Sequence, residues 1–252
     1  MRKIIKLMDN WNFTNQKGAV TKLNLPHTWN NKDGQDGGND YWRGTNKYDT
    51  TFKTPDFDKK TQSVYLQFHG VNASAKVILN GKDVCSHDGG YSTFRADITE
   101  FLEKENRLVV EVDNSINDRV YPQKADFTFY GGIYRDVKIV SVDKNHFTID
   151  FWGASGIKVT PRVDLEKKLA DITIESFVEL EDKFFEADCE DFVKIKTMVL
   201  DADENVLFEK GKIRNRQTSS KISYEGDKEQ EKVRKTPVAK VEFVLENPHL
   251  WD

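Results

Sequence analysis

The chain is organised around the stretch Ala125–Val137, which reads ADFTFYGGIYRDV. A carboxylate, Asp126, and a run of aromatic rings lead into Gly131 and Gly132, and paired glycines mark backbone that needs a bulge, a tight turn or a close approach. After the glycines, alternating apolar and polar residues predict a strand with one buried face over Ile133–Val140. A carboxylate and aromatic rings on a loop beside a rigid strand are typical of a sugar-binding site.

Short strands separated by turn residues precede this stretch. Ile4–Phe13 is predicted as an opening strand, and Val64–Phe68 alternates apolar and polar residues. Ala75–Leu79 is followed by Asn80 and Gly81, the dipeptide that most strongly favours a two-residue hairpin. Many short strands with almost no helical periodicity predict an all-β fold, and their number fits a jelly-roll β-sandwich.

The composition changes after Val142, where a short polar link precedes a second set of strands. About seven short antiparallel strands in roughly 100 residues are typical of an immunoglobulin-like β-sandwich. Among them, Asp201–Asn205 is predicted as a hairpin loop between two strands. We therefore predict a jelly-roll domain over residues 1–143 and an immunoglobulin-like domain over residues 144–252.

Charge and cysteine usage exclude several classes of protein. The chain has 38 basic and 42 acidic residues and a net charge of −4, so it lacks the basic stripe that a nucleic-acid partner requires. Cys85 and Cys189 have no metal-ligand spacing, and we predict no metal, no cofactor and no disulfide. The N-terminal apolar run is broken at Lys6 and Asp9, and no long apolar run follows, so we predict neither signal peptide nor membrane span. A cytoplasmic location follows as the expectation.

The sequence resembles glycoside hydrolase family 2, the group of β-galactosidases, β-glucuronidases and β-mannosidases. Its members carry an Asp, aromatic residues and (Gly/Ala)-Gly-Ile-(Tyr/Phe/His)-Arg at the end of their first domain, and Asp126–Arg135 matches this pattern. Three further stretches agree in the family's order: LPHTWN at Leu25–Asn30, VYLQFHGVNASAKVILNG at Val64–Gly81 and HDGGYSTFRADIT at His87–Thr99. The resemblance covers the whole chain and implies a sugar-binding jelly roll followed by an immunoglobulin-like domain.

The resemblance also implies that the catalytic part is missing. NPHLWD at Asn247–Asp252 matches the kind of sequence where family members pass into a catalytic (β/α)8 barrel. Retaining hydrolysis needs two carboxylates about 5 Å apart; in this family both are glutamates of the barrel, and the acid/base follows an Asn. No Asn-Glu dipeptide occurs in this sequence. We therefore expect no catalytic residue here, an inactive fragment, and the missing barrel as its partner.

Two residues are candidates for substrate binding. In β-galactosidases of this family, the aspartate that matches Asp126 bonds sugar hydroxyls in the active site, so the resemblance implies this role for Asp126. The alternative is that Asp126 caps the turn before the glycines. Asn39 lies in an Asn- and Gly-rich loop that could project toward the same site, although a turn-forming role is favoured for it. Arg135 is predicted to pair with Asp97 or Asp136.

The resemblance implies a parent enzyme that hydrolyses terminal β-galactosides with retention, and GGIYRDV favours a galactosidase. The alternatives are a β-glucuronidase or β-mannosidase fragment, because β-glucuronidases carry the same motif. A stand-alone carbohydrate-binding module is a further alternative, since a jelly roll with aromatic residues can bind glycans alone. In a purely structural role, the two sandwiches would brace the barrel and form the contacts of a homo-oligomer.

Overall fold

The structure is a computed structural model that describes residues 2–31, 42–121, 129–149, 153–181, 193–214 and 239–250. Within these residues the fold is all-β, as predicted, with seventeen strands and one short 3-10 helix, Thr99–Phe101. The chain divides into two compact units, residues 1–143 and residues 144–252. None of the described residues forms a helix with the length and hydropathy needed to cross a membrane.

The first unit contains a four-stranded and a six-stranded sheet, both antiparallel. The smaller sheet consists of β1 (Lys3–Lys6), β5 (Gln62–Phe68), β8 (Phe94–Asp97) and β10 (Val137–Asp143), paired in the order β1-β10-β5-β8. The larger sheet consists of β2 (Trp11–Thr14), β3 (Val20–Leu23), β4 (Thr45–Lys53), β6 (Ser74–Leu79), β7 (Lys82–Asp88) and β9 (Glu105–Asp113), in the order β3-β2-β4-β9-β6-β7. The first strand therefore pairs with the last, with Lys3 opposite Ser141.

The inward faces of the two sheets share one hydrophobic core. Burial alternates along β2, β4, β6, β8 and β9, so that in β6 Ala75, Val77 and Leu79 are buried and the residues between them are partly exposed. β5 is buried on both faces from Val64 to Phe68. The largest fully buried side chains in this core include Trp11, Tyr48, Phe68 and Leu66. Burying an aliphatic or Phe side chain of this kind contributes about 1.5–3 kcal/mol. A core built from alternating residues of two facing sheets is that of a β-sandwich.

The opening segment is two strands rather than the single strand predicted over Ile4–Phe13. β1 ends at Lys6 and β2 begins at Trp11, and the two strands lie in different sheets. The chain turns between them at Asn10, whose φ of 60° is one that Asn tolerates better than most residues. Alternation with a period of two resumes after this turn, so the pattern does not reveal the change of sheet.

The predicted hairpin at Asn80 and Gly81 is confirmed. These two residues join β6 to β7 with φ of 52° and 78°, and a two-residue turn of this type needs positive φ at both positions. The Asn80 side chain also accepts a hydrogen bond from the Arg107 backbone N–H at 2.9 Å. The turn is thereby tied to β9, the other neighbour of β6.

The second unit contains three small antiparallel sheets. Its strands are β11 (His146–Phe147), β12 (Ile157–Asp164), β13 (Leu169–Ser176), β14 (Val178–Glu179), β15 (Val193–Leu200), β16 (Val206–Arg214) and β17 (Ala239–Glu246). They pair as β12-β13-β17, β15-β16 and β11-β14. The Asp201–Asn205 loop joins β15 to β16 as predicted, with the Asp201 N–H bonded to the Asn205 carbonyl at 3.0 Å. Phe208 of β16 stacks on Phe243 of β17, with ring centroids 4.2 Å apart.

Candidate functional site

The predicted site residues themselves, Asp126 and Asn39, lie outside the described residues. The described chain resumes at Trp42, three residues after Asn39, and at Phe129, three residues after Asp126. We therefore describe the candidate site through the residues that contact the chain following Asn39 and the chain following Asp126. Its centre is the glycine loop, residues 129–135, which contains the paired glycines.

Two asparagine side chains hold the backbone of the glycine loop. Asn30 is fully buried, and its Oδ1 accepts a 2.8 Å hydrogen bond from the Gly131 N–H while its Nδ2 donates to the Phe129 carbonyl at 3.1 Å. Asn72 donates from Nδ2 to the Tyr130 carbonyl at 2.7 Å. Its backbone exchanges two 3.0 Å hydrogen bonds with Gly132. Four consecutive residues are thus fixed by bonds that satisfy buried polar groups.

The paired glycines are required by close approach, as their sequence predicts. A Cβ at Gly131 would lie 2.3 Å from Cζ2 of Trp29. A Cβ at Gly132 would lie 2.6 Å from the His27 carbonyl oxygen and 2.7 Å from the Tyr48 hydroxyl, and Gly132 has φ of +129°. Only glycine fits both positions without displacing the residues beneath the loop.

A polar pair, the buried Tyr48 and the half-buried His27, lies beneath Gly132. The Tyr48 hydroxyl is 2.7 Å from Nδ1 of His27, and both rings contact Phe13, with centroids 5.1 Å and 4.9 Å away. Burial raises the pKa of Tyr48 well above its ordinary value, although a hydrogen bond with the Ile133 backbone opposes this rise. Burial also lowers the pKa of His27. His27 is therefore a hydrogen-bonded structural residue in its neutral form.

Asn114 holds the chain that follows the Asn39 segment. Its Oδ1 accepts from the Gly44 N–H at 2.9 Å, and its Nδ2 donates to the Trp42 carbonyl at 3.2 Å. Arg43 donates to the Asn114 carbonyl at 3.1 Å, and its guanidinium lies 5.8 Å from the centroid of the Phe129 ring. Arg43, which follows the Asn39 segment, therefore contacts Phe129, which follows the Asp126 segment.

The glycine loop also fixes the loop between β7 and β8, residues 89–93. The Tyr134 hydroxyl donates to the Gly90 carbonyl at 2.5 Å, and Nη1 of Arg135 donates to the Tyr91 carbonyl at 3.3 Å. The Arg135 guanidinium lies over the Tyr134 ring, 5.2 Å from its centroid. The two side chains thus form a unit that holds the backbone of the neighbouring loop.

The predicted pairing of Arg135 with Asp97 or Asp136 is wrong. The Asp97 carboxylate accepts from the backbone and the hydroxyl of Thr99, at 2.9 and 2.6 Å. Asp136 instead pairs with Lys138 at 3.3 Å. The reason is that β10 begins at Val137, not at the predicted Ile133. Arg135 therefore belongs to the loop and is exposed, and its side chain does not follow the alternation of the strand.

An ion pair joins the end of β7 to the loop after β9. Asp88 accepts from Nε of Arg119 at 2.9 Å and from the Ser74 hydroxyl at 2.6 Å. Burial alone would raise the pKa of Asp88, but these two hydrogen bonds and the neighbouring charges of Arg119 and His87 together outweigh it, so the pKa is lowered. Beside it, His87 stacks on Phe94 with centroids 4.3 Å apart, and burial lowers the pKa of His87. In the part of the chain that the structure describes, no three His, Cys, Asp or Glu side chains are grouped to hold a metal.

The three asparagines that build this site, Asn30, Asn72 and Asn114, are not identified by sequence reasoning. Their only signal is position, because each follows a strand or a short motif in a loop where an amide can bond backbone. Asn30 ends LPHTWN and Asn72 lies in HGVNAS, two of the stretches that carry the family resemblance. Those motifs therefore mark the residues that shape the glycine loop.

The fold and the loop cluster define the class of the first unit, a two-sheet β-sandwich domain with its shaped loops gathered around a Gly-Gly turn. The family model described as "Glycosyl hydrolase 2 galactose-binding domain-like" matches residues 28–161, more than half of the 252-residue chain. The chain belongs to glycoside hydrolase family 2.

Three proteins similar to this chain are named either β-glucuronidase or β-galactosidase. A β-glucuronidase of Bacteroides fragilis is 33% identical over 192 residues, covering 69% of this chain and 27% of the relative. A β-galactosidase of Thermoanaerobacter pseudethanolicus is 38% identical over 92 residues, covering 34% of this chain and 12% of the relative. The crystal structure of an FMN-binding β-glucuronidase from Faecalibacterium prausnitzii L2-6 matches with a TM-score of 0.77 and 33% identity, over 100% of this chain and 35% of that one. The chain thus spans about a third or less of the length of these relatives.

Proposed function

We propose that this chain is the N-terminal, non-catalytic portion of a retaining β-glycosidase, and that it supplies Asp126 to the site that binds the terminal sugar. Asn39 is the second proposed contact. The observation that carries the proposal is the anchoring of Phe129–Gly132 by Asn30 and Asn72, which fixes the backbone where the Asp126 segment ends.

The physical argument concerns pre-organisation. A carboxylate that accepts hydrogen bonds from sugar hydroxyls discriminates well only when its supporting backbone is held, because ordering a loop on binding costs free energy. Here the backbone that follows Asp126 is bonded at four consecutive residues, and the backbone that follows Asn39 is bonded to Asn114. These anchors support a role for both segments in one binding site.

For the sugar, we propose a terminal β-glucuronide or β-galactoside. The β-glucuronidase of Bacteroides fragilis supports the glucuronide, because its similarity extends over 69% of this chain. The β-galactosidase of Thermoanaerobacter pseudethanolicus supports the galactoside, which the GGIYRDV sequence also favours, over 34% of the chain. The two relatives together therefore give a β-galactoside no advantage over a β-glucuronide as the proposed substrate.

The test joins this chain to the catalytic remainder of a family member and measures kcat/KM for p-nitrophenyl β-glucuronide and β-galactoside. Asp126→Ala should lower kcat/KM on the preferred substrate at least tenfold, about 1.4 kcal/mol of transition-state binding. Asp136→Ala is the matched control, because this carboxylate of the same motif pairs with Lys138. Equal activities of wild type and Asp126→Ala would reduce Asp126 to a turn residue and leave the two units a bracing role.

A further inference from the structure

One face of β12, in the second unit, is apolar and exposed. Along this strand every second side chain is apolar, and the residues between them are polar. Such strict alternation is typical of a strand that buries one of its faces. The apolar residues are nevertheless exposed. We call them the β12 face: Ile157, Val159, Pro161 and Val163.

The register of the sheet shows where burial is lost. Val159 lies opposite Ile174 of β13, and Ile174 lies opposite Val241 of β17. Residues directly opposite each other share one face of a sheet. Across this row the exposed fraction of the residue falls from 55% at Val159 to 7% at Ile174 and 1% at Val241. The face that is buried at β17 and β13 is therefore open to solvent at β12.

Strands β15 and β16 cover this face on its β17 side. Phe208 of β16 stacks on Phe243 of β17, and Ile195 of β15 packs with Ala239 of β17. The β12 face lies at the opposite edge of the three-stranded sheet. Single exposed apolar residues are common, whereas an exposed apolar group that continues a buried face marks an interaction surface.

The other face of the same sheet is polar. Lys158 of β12 pairs with Glu175 of β13 at 3.4 Å, and Lys240 of β17 pairs with Glu242 at 2.6 Å. Val244 follows Glu242 on this polar face and is 57% exposed. Val244 therefore has the exposure of Val159 without belonging to an apolar face.

The edge of β12 is protected against pairing with a further strand. Pro161 has no N–H to donate, and a proline within a strand is found essentially only at an edge or a bulge. Lys158 and Arg162 add charge to the same edge, which also disfavours strand addition. A partner of β12 therefore packs on its apolar face and does not extend the sheet.

The small area of the β12 face favours a partner from the same polypeptide over a second copy of this chain. Four side chains cannot supply the roughly 800 Å² that each protein buries in a stable complex. A segment of the same polypeptide needs less, because tethering gives it a high effective concentration.

The path of the chain after β17 leads toward this face. The Asn247 N–H, one residue after β17, donates to the Lys168 carbonyl at 2.8 Å. Lys168 lies in the turn between β12 and β13, where Leu165 is exposed. The chain thus leaves the sheet beside the turn that follows Val163.

We propose that the β12 face is the surface on which the catalytic remainder of the enzyme docks, through apolar side chains of its own. The inference rests on the proposed function, in which the polypeptide extends past this chain into that remainder. The relatives have the length for it, because this chain spans about a third or less of them. The polar face of the same sheet stays in water.

Carbene footprinting of the full-length protein tests this surface, because a photolysed diazirine inserts into the exposed bonds of a side chain. Val159 and Val244 are two valines of similar exposure on opposite faces of one sheet, so each molecule contains its own control. If the remainder covers Val159, labelling of Val244 should be at least about threefold higher, since the centre of an interface is fully buried. Equal labelling of the two valines would overturn the docking surface.

Two substitutions identify what covers the face. Val159→Lys should raise the labelling of Val163, because an ammonium is costly to bury in an apolar contact, and Val244→Lys should leave it unchanged. A photo-crosslinking p-benzoylphenylalanine at position 159 should attach to the polypeptide beyond residue 252. Attachment within residues 1–252, or to a second copy of the protein, would overturn the proposal.

The same preparation separates this inference from the proposed function. Hydrolysis of a β-glucuronide or β-galactoside together with equal labelling of Val159 and Val244 would overturn only the docking surface. A full-length protein that hydrolyses neither glycoside would overturn the proposed function and, with it, the identity of the docked remainder.

Discussion

The buried Oδ1 of Asn30 accepts a 2.8 Å hydrogen bond from the N–H of Gly131, a residue 101 positions later in the chain. The same side chain donates to the Phe129 carbonyl. One amide thus bonds the backbone of the glycine loop at two residues, beside the backbone pair that Gly132 forms with Asn72. The geometry of the candidate site therefore depends on this long-range contact as well as on the paired glycines of the loop.

Asn30→Ala should lower the free energy of unfolding by about 1–3 kcal/mol, because it removes the side-chain acceptor of the buried Gly131 N–H. Urea denaturation followed by tryptophan fluorescence measures the change. The matched control is Asn205→Ala, which removes an exposed amide bonded to Asp201 and should cost about 0.5 kcal/mol or less. Equal losses in the two variants would show that Asn30 does not anchor the loop.

Gly132→Ala should cost at least about 2 kcal/mol more than Gly18→Ala. Both glycines have positive φ, +129° and +81°, so both variants pay for an unfavourable backbone conformation. At Gly132 the new Cβ also meets the His27 carbonyl at 2.6 Å, whereas nothing lies within 4 Å at Gly18. Comparing the two urea midpoints isolates the steric cost, and matching midpoints would contradict the close approach.

Stability should decrease as the pH falls from about 7.5 to 5.5. Burial lowers the pKa of His27 and His87 below the ordinary value of 6.5. The unfolded chain therefore binds more protons between the lowered pKa and 6.5, so acidification in this window favours unfolding. Urea midpoints across this range measure the effect, and His27→Gln should reduce the slope. A midpoint that is constant or rises on acidification would contradict the burial of neutral histidines.

Arg135→Ala should loosen the Tyr91 loop, because it removes the hydrogen bond to the Tyr91 carbonyl. Hydrogen exchange should then be faster at residues 89–93, and the exchange at Thr99 should stay unchanged. A double-mutant cycle between Arg135→Ala and Asp97→Ala should give a coupling energy within about 0.5 kcal/mol of zero. A larger coupling would restore the ion pair that the sequence predicts.

Local patterns in the sequence are sufficient to predict the strands and hairpins of the all-β fold. Alternation defined β5 and β6, and Asn80-Gly81 and Asp201–Asn205 each identified a hairpin that the structure contains. The close approach predicted from the paired glycines is confirmed, because glycine alone has no Cβ and a Cβ at either position would clash. These features share one property, which is that each can be predicted from residues adjacent in sequence.

The remainder of the site depends on contacts between distant residues. The bond from Gly131 to Asn30 and the change of sheet between β1 and β2 leave no trace in local alternation. Arg135 is predicted on a strand but lies in a loop, because residues 133–136 before β10 show the apolar–polar alternation that is typical of a strand. The roles of Asp126 and Asn39 stay predictions, since both residues lie outside the described part of the chain.

The pairing of β1 with β10 also has a consequence for how the protein is made. Lys3 lies opposite Ser141, so the four-stranded sheet gains its edge only after nearly the whole first unit has left the ribosome. Domains fold as units during synthesis, and ladders between distant residues form late because their loop closure must come first. β1 therefore cannot pair with β10 until the chain beyond the glycine loop has emerged.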